Sequence, residues 1–256
     1  MQIDLTKAPG RGTTFEGDIA ARLAGLRASL SHLHLRQIAY GKRLIVIVEG
    51  WEATGKRALL RQMLASFDPC STRTYCSDVR PITRSRRHWL AEYWSELPAA
   101  GHNSLFYRSW YRRLVDERIE RAMSEKHWSR GCDEINEFEA QQNDHDTMIV
   151  KLFLHCSAEM QARRVRERRV DPWQRLLLDE PDVERPDHVK AWNAVFAETD
   201  TRWAPWTLID AENSAAGMVA AMEHLVKTLD QNLPKEAPRE DDSEGAQIVD
   251  LASVSR

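Results

Sequence analysis

Two glycines and a lysine at a fixed spacing, Gly50-x-x-x-x-Gly55-Lys56, are the residues of this chain best suited to chemistry. Glycines allow a backbone geometry that points several N–H groups at one anion. A lysine adds a mobile positive charge for terminal phosphates. We therefore predict that Gly50, Gly55, Lys56 and the adjoining Arg57 bind phosphate. The alternative is a chance match of the same residues in an ordinary turn.

Position 57 departs from the general phosphate-loop pattern, which has Ser or Thr after the lysine. Because the residue here is Arg57, the hydroxyl that commonly ligates Mg²⁺ is missing. Glu52 lies inside the loop and is the nearest carboxylate. If the protein uses a metal ion, we predict Glu52 as its ligand.

The sequence on either side of the loop supplies the elements that must position it. An apolar run rich in β-branched residues, Leu44 to Val48, predicts a strand buried on both faces. Helical spacing follows the loop from Ala58 to Leu64. A strand, a glycine loop and a helix are the context in which a phosphate-binding loop is expected, and the helix N-terminus would add its positive dipole end.

The rest of the chain alternates predicted strands with predicted helices. This alternation predicts an α/β fold with a parallel sheet of about five strands and helices on both faces. Residues 1–14 are expected to form a loose arm, and residues 233–256 an acidic tail without order. The predicted strands are 44–48, 73–76, 103–107, 148–154 and 206–210, and the predicted helices are 16–36, 58–64, 88–97, 114–127, 128–142, 157–170, 187–198 and 214–229.

Arginines cluster in three segments. Residues 80–87 hold four of them, and either a solvated loop or an anion-contacting lip would explain these. Arg108 and Arg112 follow the third predicted strand, and ligands of open parallel sheets bind beyond the carboxyl ends of strands. Helix 157–170 carries five arginines. It is either a solvated helix with partial ion pairing or a basic lid over a polyanion.

Composition excludes several classes of function. The net charge is −3 over 256 residues, so the chain lacks the basic field expected of a duplex nucleic-acid binder. No stretch approaches the ~20 apolar residues that a membrane span needs. The four cysteines form no Cys-x-x-Cys pair, which argues against a zinc site or a disulfide framework. We expect reduced thiols and a cytoplasmic protein.

Taken together, these segments resemble the polyphosphate kinase 2 family, and within it the polyphosphate:AMP phosphotransferases. The residues that carry the resemblance span most of the chain and are, in order, Glu49-Gly50-Trp51-Glu52-Ala53-x-Gly55-Lys56, Leu97-Pro98-x-x-Gly101, Arg108-Ser109-Trp110-Tyr111, Glu117-Arg118, Glu134-Ile135-Asn136-Glu137-Phe138-Glu139, Lys151-Leu152-Phe153-Leu154-His155, Arg166-Glu167-Arg168, Asp171-Pro172 and Thr199-Asp200-Thr201-x-x-Ala204-Pro205-Trp206-Thr207.

The resemblance implies a P-loop kinase-like three-layer sandwich over residues 15–232, with a helical lid at about 158–186. It implies phosphoryl transfer between inorganic polyphosphate and a nucleoside mono- or diphosphate such as AMP or ADP. It also implies use of Mg²⁺ or Mn²⁺, and assembly into homodimers or homotetramers.

The same resemblance implies roles for individual residues. Lys56 and Glu52 would hold phosphates and metal, and Arg108 would clamp the transferred group together with Arg112. Arginine side chains fit phosphate oxygens with two parallel hydrogen bonds, and a row of them suits a chain of phosphates. The lid residues that would hold this chain are Arg164, Arg168 and Arg175.

Three departures from the family pattern bear on activity. Glu52 stands where the family has Asp, and Tyr107 stands where the family has an Asp with a metal-binding and catalytic role. Tyr107 is a neutral phenol at pH 7 and a poor Mg²⁺ ligand. The lid segment 173–177 reads Trp-Gln-Arg-Leu-Leu, so only Arg175 keeps a charge there.

These departures leave three hypotheses open. The first is an active polyphosphate-dependent phosphotransferase, in which Asp78, Asp116 or Glu117 could replace the missing Asp. The second is a catalytically lapsed homologue that binds nucleotide or polyphosphate, or serves as a structural partner subunit. The third is an ATP-dependent small-molecule kinase on the same scaffold, because fold alone does not fix function.

Overall fold

The computed structural model describes residues 3–7, 15–76, 88–121, 124–178 and 186–238. Five strands form one parallel sheet in the order β2-β3-β1-β4-β5. The strands are β1 (Arg43–Gly50), β2 (Thr72–Cys76), β3 (Asn103–Tyr107), β4 (Thr147–His155) and β5 (Trp206–Asp210). The predicted α/β fold with a five-stranded parallel sheet is confirmed.

Helices cover both faces of the sheet, and β1 lies at its centre. Each β1 residue from Leu44 to Gly50 is buried, as its continuous apolar run predicts for a strand covered on both sides. The helices are α1 (Ile19–Ala39), α2 (Lys56–Leu64), α3 (Ala91–Trp94), α4 (Tyr111–Ile119), α5 (Glu125–Asp144), α6 (Ala158–Val170), α7 (Pro186–Thr199) and α8 (Ser214–Asn232), with a 3₁₀ turn at Gln174–Leu177.

The two faces of the sheet pack differently. On one face α1, α2 and α8 bury aliphatic side chains such as Leu30, Leu59 and Leu225. On the other face α4, α5 and α7 bury a largely aromatic core, in which Trp110 and its neighbours meet edge to face. The high tryptophan content therefore serves mainly this second core.

Among the differences from the predicted boundaries, two concern helices α3 to α5. The sequence predicts one helix up to residue 127 and another from 128, but the break lies between Ile119 and Glu125. Ser124 explains it, because its hydroxyl accepts a hydrogen bond from the N–H of His127 and so caps the start of α5. The helix predicted at 88–97 is shortened to Ala91–Trp94.

The ends of the chain are partly described. Within the predicted N-terminal arm Leu5 is buried, and its backbone N–H donates to Asn193 Oδ1 at 2.9 Å. At the other end α8 continues to Asn232, and Leu233 is also buried.

The arginine-rich segment 80–87 and Asp78 lie outside the described residues, so the anion-contacting lip stays a prediction. None of the described helices is long and apolar enough to cross a membrane.

Candidate active site at the carboxyl ends of the strands

The loop between β1 and α2 needs its two glycines for different reasons. Gly50 has φ 132°, and a Cβ on it would lie 2.2 Å from the carbonyl oxygen of Leu154 in β4. Any side chain there would clash with backbone. Gly55 has φ 98° and lies immediately before α2, and Ala53 within the loop is also left-handed at φ 63°. These two left-handed residues turn the chain sharply just before the N-terminus of α2, where a phosphate-binding loop is expected to turn.

Lys56 is buried, and its ammonium lies against the start of the loop. Its Nζ donates to the carbonyl oxygens of Gly50 at 2.6 Å and Trp51 at 2.8 Å. Trp51 in turn donates from Nε1 to Nδ1 of His155, the last residue of β4, at 2.9 Å. Because Nδ1 accepts, a neutral His155 carries its proton on Nε2. These bonds fix the loop to the carboxyl ends of strands β1 and β4.

A pocket of about 390 Å³ opens beside this loop. Four of the side chains on its wall are cationic, and Glu52 is the one carboxylate among its described lining residues. The surplus of positive charge at a helix N-terminus suits a polyanion. The lining residues are Glu52, Ala53, Thr54, Gly55, Lys56, Arg57, Ala58, Arg61, Tyr107, Arg168, Gln174 and Leu177.

Tyr107 ends β3 and gives the pocket an aromatic wall. Its side chain is 4% exposed. Three cationic groups lie near its ring: Arg57 Cζ at 4.6 Å, Arg108 Cζ at 5.3 Å and Lys56 Nζ at 5.7 Å from the centroid. All three are within the range of cation–π attraction. The position therefore gathers positive charge, with Lys56 and Arg108 both within 6 Å of the same ring.

The corner after β3 is held by a buried carboxylate. Glu49 Oε1 in β1 accepts hydrogen bonds from the backbone N–H of Ser109 at 2.7 Å and from its hydroxyl at 2.9 Å. Arg108 takes a left-handed conformation at φ 62°, which is uncommon for a residue with a Cβ. A strained residue at a candidate site is consistent with a functional constraint.

Helix α6, the predicted lid, contacts the loop through Arg168 and Gln161. Arg168 Nη1 lies 3.2 Å from Glu52 Oε1, and Gln161 donates to the Glu52 carbonyl at 3.1 Å. Arg164 instead donates to the carbonyl oxygens of Ala211 at 2.9 Å and Glu212 at 2.7 Å, after β5. In this arrangement Arg164 fixes α6 to the segment that follows β5.

The structure thus brings together most, but not all, of the predicted site residues. Glu52, Gly55, Lys56, Arg57 and Arg168 line the pocket. Gly50 shapes the loop behind them, and Arg108 reaches them through Tyr107.

Besides Arg108, three predicted arginines lie off the pocket wall. Arg112 lies in a small crevice beside Gly50 and Trp51, with its Nε 3.0 Å from Asp116. Arg175 is exposed and does not line the pocket, and Arg164 bonds to carbonyls as described above. Their proposed contacts with phosphate would therefore require movement of the side chain or the lid.

Outside segment 53–58, sequence reasoning missed three lining residues, and one of them could have been found. Arg61 follows Arg57 by four residues on α2, so helical spacing places both on one face. The other two are the uncharged pair Gln174 and Leu177, and nothing in the local sequence points them at the loop. Tyr107 lines the pocket at the position where the resemblance predicts a lost metal ligand.

The described residues do not build a metal site held by the protein alone. No group of three His, Cys, Asp or Glu residues among them is placed to hold an ion. Asp116 pairs with Arg112, and Glu117 pairs with Arg113 at 2.7 Å. Mg²⁺ needs six oxygen ligands in near-octahedral geometry, and Glu52 supplies at most two. The predicted Mg²⁺ or Mn²⁺ stays a prediction, as does Asp78, which lies outside the described residues.

Comparisons with known proteins agree with this geometry. The family model described as polyphosphate kinase 2 matches residues 16–237. The polyphosphate:AMP phosphotransferase of Pseudomonas syringae pv. tomato is 31% identical over 226 residues, which are 85% of this chain and 44% of that protein. ADP-polyphosphate phosphotransferase 3 of Rhizobium meliloti is 29% identical over 241 residues, covering 90% of this chain and 85% of that protein.

A solved structure shows the same fold. The crystal structure of polyphosphate kinase 2 from Arthrobacter aurescens TC1 superposes with a TM-score of 0.84 at 24% identity, covering 93% of this chain and 89% of that one. This chain spans less than half of the Pseudomonas relative and most of the Rhizobium one. Because the family model covers most of the sequence, the resemblance is confirmed: the chain belongs to the polyphosphate kinase 2 family.

Proposed function

We propose that this protein transfers a phosphoryl group between inorganic polyphosphate and a nucleoside mono- or diphosphate, with AMP and ADP as the first candidates. The observation that carries this proposal is the pocket beside the glycine loop, where Lys56, Arg57, Arg61 and Arg168 face one carboxylate, Glu52. The names of the Pseudomonas and Rhizobium relatives support the same reaction.

The chemistry asks for positioning and neutralisation of charge more than for covalent catalysis. In this proposal the backbone N–H groups of residues 53–56 and the N-terminus of α2 hold the terminal phosphate. Lys56 exchanges its two carbonyl acceptors for phosphate oxygens. Arg57 and Arg108, which share the Tyr107 ring, bracket the group in transfer.

The lid would hold the remainder of the phosphate chain. Arg168 is paired with Glu52 at 3.2 Å and is about one third exposed, so a phosphate oxygen can compete for its guanidinium. Arg175 lies beyond it on the exposed 3₁₀ turn. We propose that binding of a polyanion draws these two arginines and the pocket together, while Arg164 keeps the base of the lid in place.

The direct test is turnover with defined substrates. Purified protein is incubated with AMP or ADP, long-chain polyphosphate and Mg²⁺ or Mn²⁺, and new phosphoanhydride is quantified. Lys56→Ala should abolish the product. Lys190→Ala is the matched control, because Lys190 is exposed on α7 and only weakly paired with Asp187 at 3.7 Å. If the unaltered protein makes no more product than Lys56→Ala, the proposed function is wrong.

A second candidate function is a catalytically lapsed homologue that binds these ligands without turnover. The observation that favours it is Tyr107, which lines the pocket and, as the resemblance to the family implies, stands where relatives have an acidic residue. This candidate predicts that the ligands bind but that no product forms. It also predicts little or no activity after Tyr107→Asp alone, whereas clear restoration would show an otherwise intact site.

We further propose that the protein is cytoplasmic, uses Mg²⁺ or Mn²⁺ and forms a homodimer or homotetramer, as its resemblance to the family implies. Glu52 is the one carboxylate among the described pocket residues, so an ion would depend mainly on phosphate oxygens for its other ligands. Light scattering coupled to size-exclusion chromatography measures the assembly. A monomer at working concentration would contradict the last proposal.

A further inference from the structure

A second pocket lies at the opposite end of the sheet from the glycine loop. It has a volume of about 440 Å³, and its wall includes the start of β4, the loop before β5 and the C-terminal half of α8. β4 extends from Thr147 to His155, so at about 3.3 Å per residue roughly 26 Å separate this pocket from the carboxyl ends of the strands. Sites for small molecules commonly enclose about 300–1,000 Å³. The pocket is therefore distinct from the candidate active site and large enough for a ligand of its own.

Two buried polar atoms in residues of this wall have no hydrogen-bond partner within the described part of the chain. They are the hydroxyl oxygen of Thr147, a residue that is 3% exposed, and Nε1 of Trp203. Buried polar side chains in proteins are almost always paired, because leaving one unpaired costs free energy. The hydroxyl can donate or accept a hydrogen bond, whereas the indole N–H can only donate. A ligand that carries polar atoms into the pocket would pair both.

The charged groups of the described wall nearly cancel. Lys42 forms an ion pair with Asp146. Burial lowers the pKa of His224, so its imidazole adds no charge at pH 7. Arg202 is exposed and lies over the ring of Trp203, with its Cζ 5.9 Å from the ring centroid. The described wall thus offers one cation beyond the balanced pair, which suits a ligand with at most one phosphate rather than a polyanion.

The neutral side chains of the wall suit the edges and faces of a nucleobase. Three amide groups, those of Asn143, Gln231 and Asn232, line the pocket. An amide offers a donor beside an acceptor, which is the combination that pairs with the edge of adenine. Trp203 adds an aromatic surface and Pro205 an apolar one, and stacking of a base on an aromatic side chain is favourable. A planar ring with polar edges therefore matches this wall better than an aliphatic ligand does.

We propose that this pocket binds a nucleoside or a nucleoside monophosphate. The base lies against Trp203 and within reach of the amides, its polar atoms pair the Thr147 hydroxyl and the indole N–H, and a phosphate, when present, bonds to Arg202. The inference goes beyond the proposed function, because it assigns a second ligand site that takes no part in phosphoryl transfer. Since AMP is also a proposed reactant, the experiment has to separate the two sites.

Titration calorimetry with adenosine and AMP makes this separation when it is performed on Lys56→Ala, which is altered at the other end of the sheet. One molecule of either ligand should still bind, and inorganic phosphate should not displace the adenosine. Adding Arg202→Gln should weaken the binding of AMP about tenfold and that of adenosine less than about twofold, since only AMP loses a charge-assisted hydrogen bond. Adding Lys190→Ala instead, at an exposed lysine of α7, should change neither affinity.

Thr147→Val tests the buried hydroxyl separately. The change replaces an unpaired hydroxyl with a methyl group, so the melting temperature of the ligand-free protein should stay the same or rise. Adenosine should nevertheless bind about threefold to tenfold more weakly, because it loses one hydrogen bond. Thermal unfolding of every variant also shows whether it is folded.

Each outcome supports the inference or overturns it. It is overturned if folded Lys56→Ala binds neither adenosine nor AMP, if phosphate displaces adenosine, or if Arg202→Gln and Thr147→Val leave both affinities unchanged. If these ligands bind as expected but the unaltered protein makes no product from polyphosphate, the proposed function fails and this inference stands. If product forms while the second pocket binds neither ligand, the reverse holds.

Discussion

Replacing Lys151 with methionine should destabilise the protein strongly, because Lys151 and Glu139 form a fully buried ion pair. Both side chains are 0% exposed, and Lys151 Nζ lies 2.9 Å from Glu139 Oε2. Nζ also donates to the hydroxyl of Tyr111 and the carbonyl oxygen of Thr199, each at 2.8 Å. Burial lowers the pKa of the Lys151 ammonium, and the Glu139 charge opposes this shift. Every donor of this cation is thus satisfied inside the protein.

The size of the stability loss follows from the contacts that Glu139 keeps and loses when Lys151 is replaced by methionine. Glu139 would keep the hydrogen bonds from Tyr111 and Trp110 but lose Lys151, its one cationic partner among the described residues. Removing one member of a buried pair costs about 3–5 kcal/mol in the free energy of unfolding. For a chain of this size each kcal/mol lowers the melting temperature by roughly 2–4 °C, so the expected loss is about 6–20 °C.

Urea denaturation followed by circular dichroism measures the loss, and a double-mutant cycle assigns it to the pair. Lys151→Met combined with Glu139→Gln removes both charges and keeps an acceptor for Tyr111 and Trp110. The double variant should therefore be more stable than the sum of the two single changes predicts, by about 1 kcal/mol or more. Lys190→Met, in an exposed pair, should change stability by less than about 0.5 kcal/mol. A loss below about 1 kcal/mol for Lys151→Met, or strict additivity, would refute the reasoning.

Three further predictions concern stability, pH and thiol chemistry. Gly50→Ala should lower the free energy of unfolding in urea by at least about 3 kcal/mol, because residue 50 has φ 132° and an added Cβ would lie 2.2 Å from the carbonyl oxygen of Leu154. A loss below about 1 kcal/mol would contradict this. Burial lowers the pKa of His34 in the folded protein. As pH falls below about 6.5 the unfolded chain therefore binds a proton at His34 more readily than the folded protein does, and the free energy of unfolding should decline. His34→Gln should flatten this pH dependence, and equal slopes for both proteins would contradict the prediction. Cys70 and Cys76 are exposed, Cys132 and Cys156 are buried, and burial raises the pKa of the Cys132 thiol to about 12. A thiol reagent should therefore react with two cysteines in the native protein and with all four only after unfolding. Fast reaction of a third cysteine in the native protein would contradict this burial.

Local features of the sequence were sufficient to predict the framework of the site. The apolar run of β1 and the spacing Gly50-x-x-x-x-Gly55-Lys56 predicted a buried strand, a tight loop and a helix start, and the structure has all three. These features are local because hydrophobic periodicity and backbone freedom act within a few residues. The five strands and the family resemblance could also be identified from the sequence, because they too rest on patterns within short segments.

Tertiary structure alone decided which side chains share the pocket. Arg164 and Arg168 lie one helical turn apart in α6, yet one bonds to the carbonyl of Ala211 and the other to Glu52. Tyr107 meets Arg57 because β3 pairs with β1 and brings the end of one strand beside the loop that follows the other. Strand order and the direction of long flexible side chains depend on contacts between residues far apart in sequence, and no local pattern encodes those contacts.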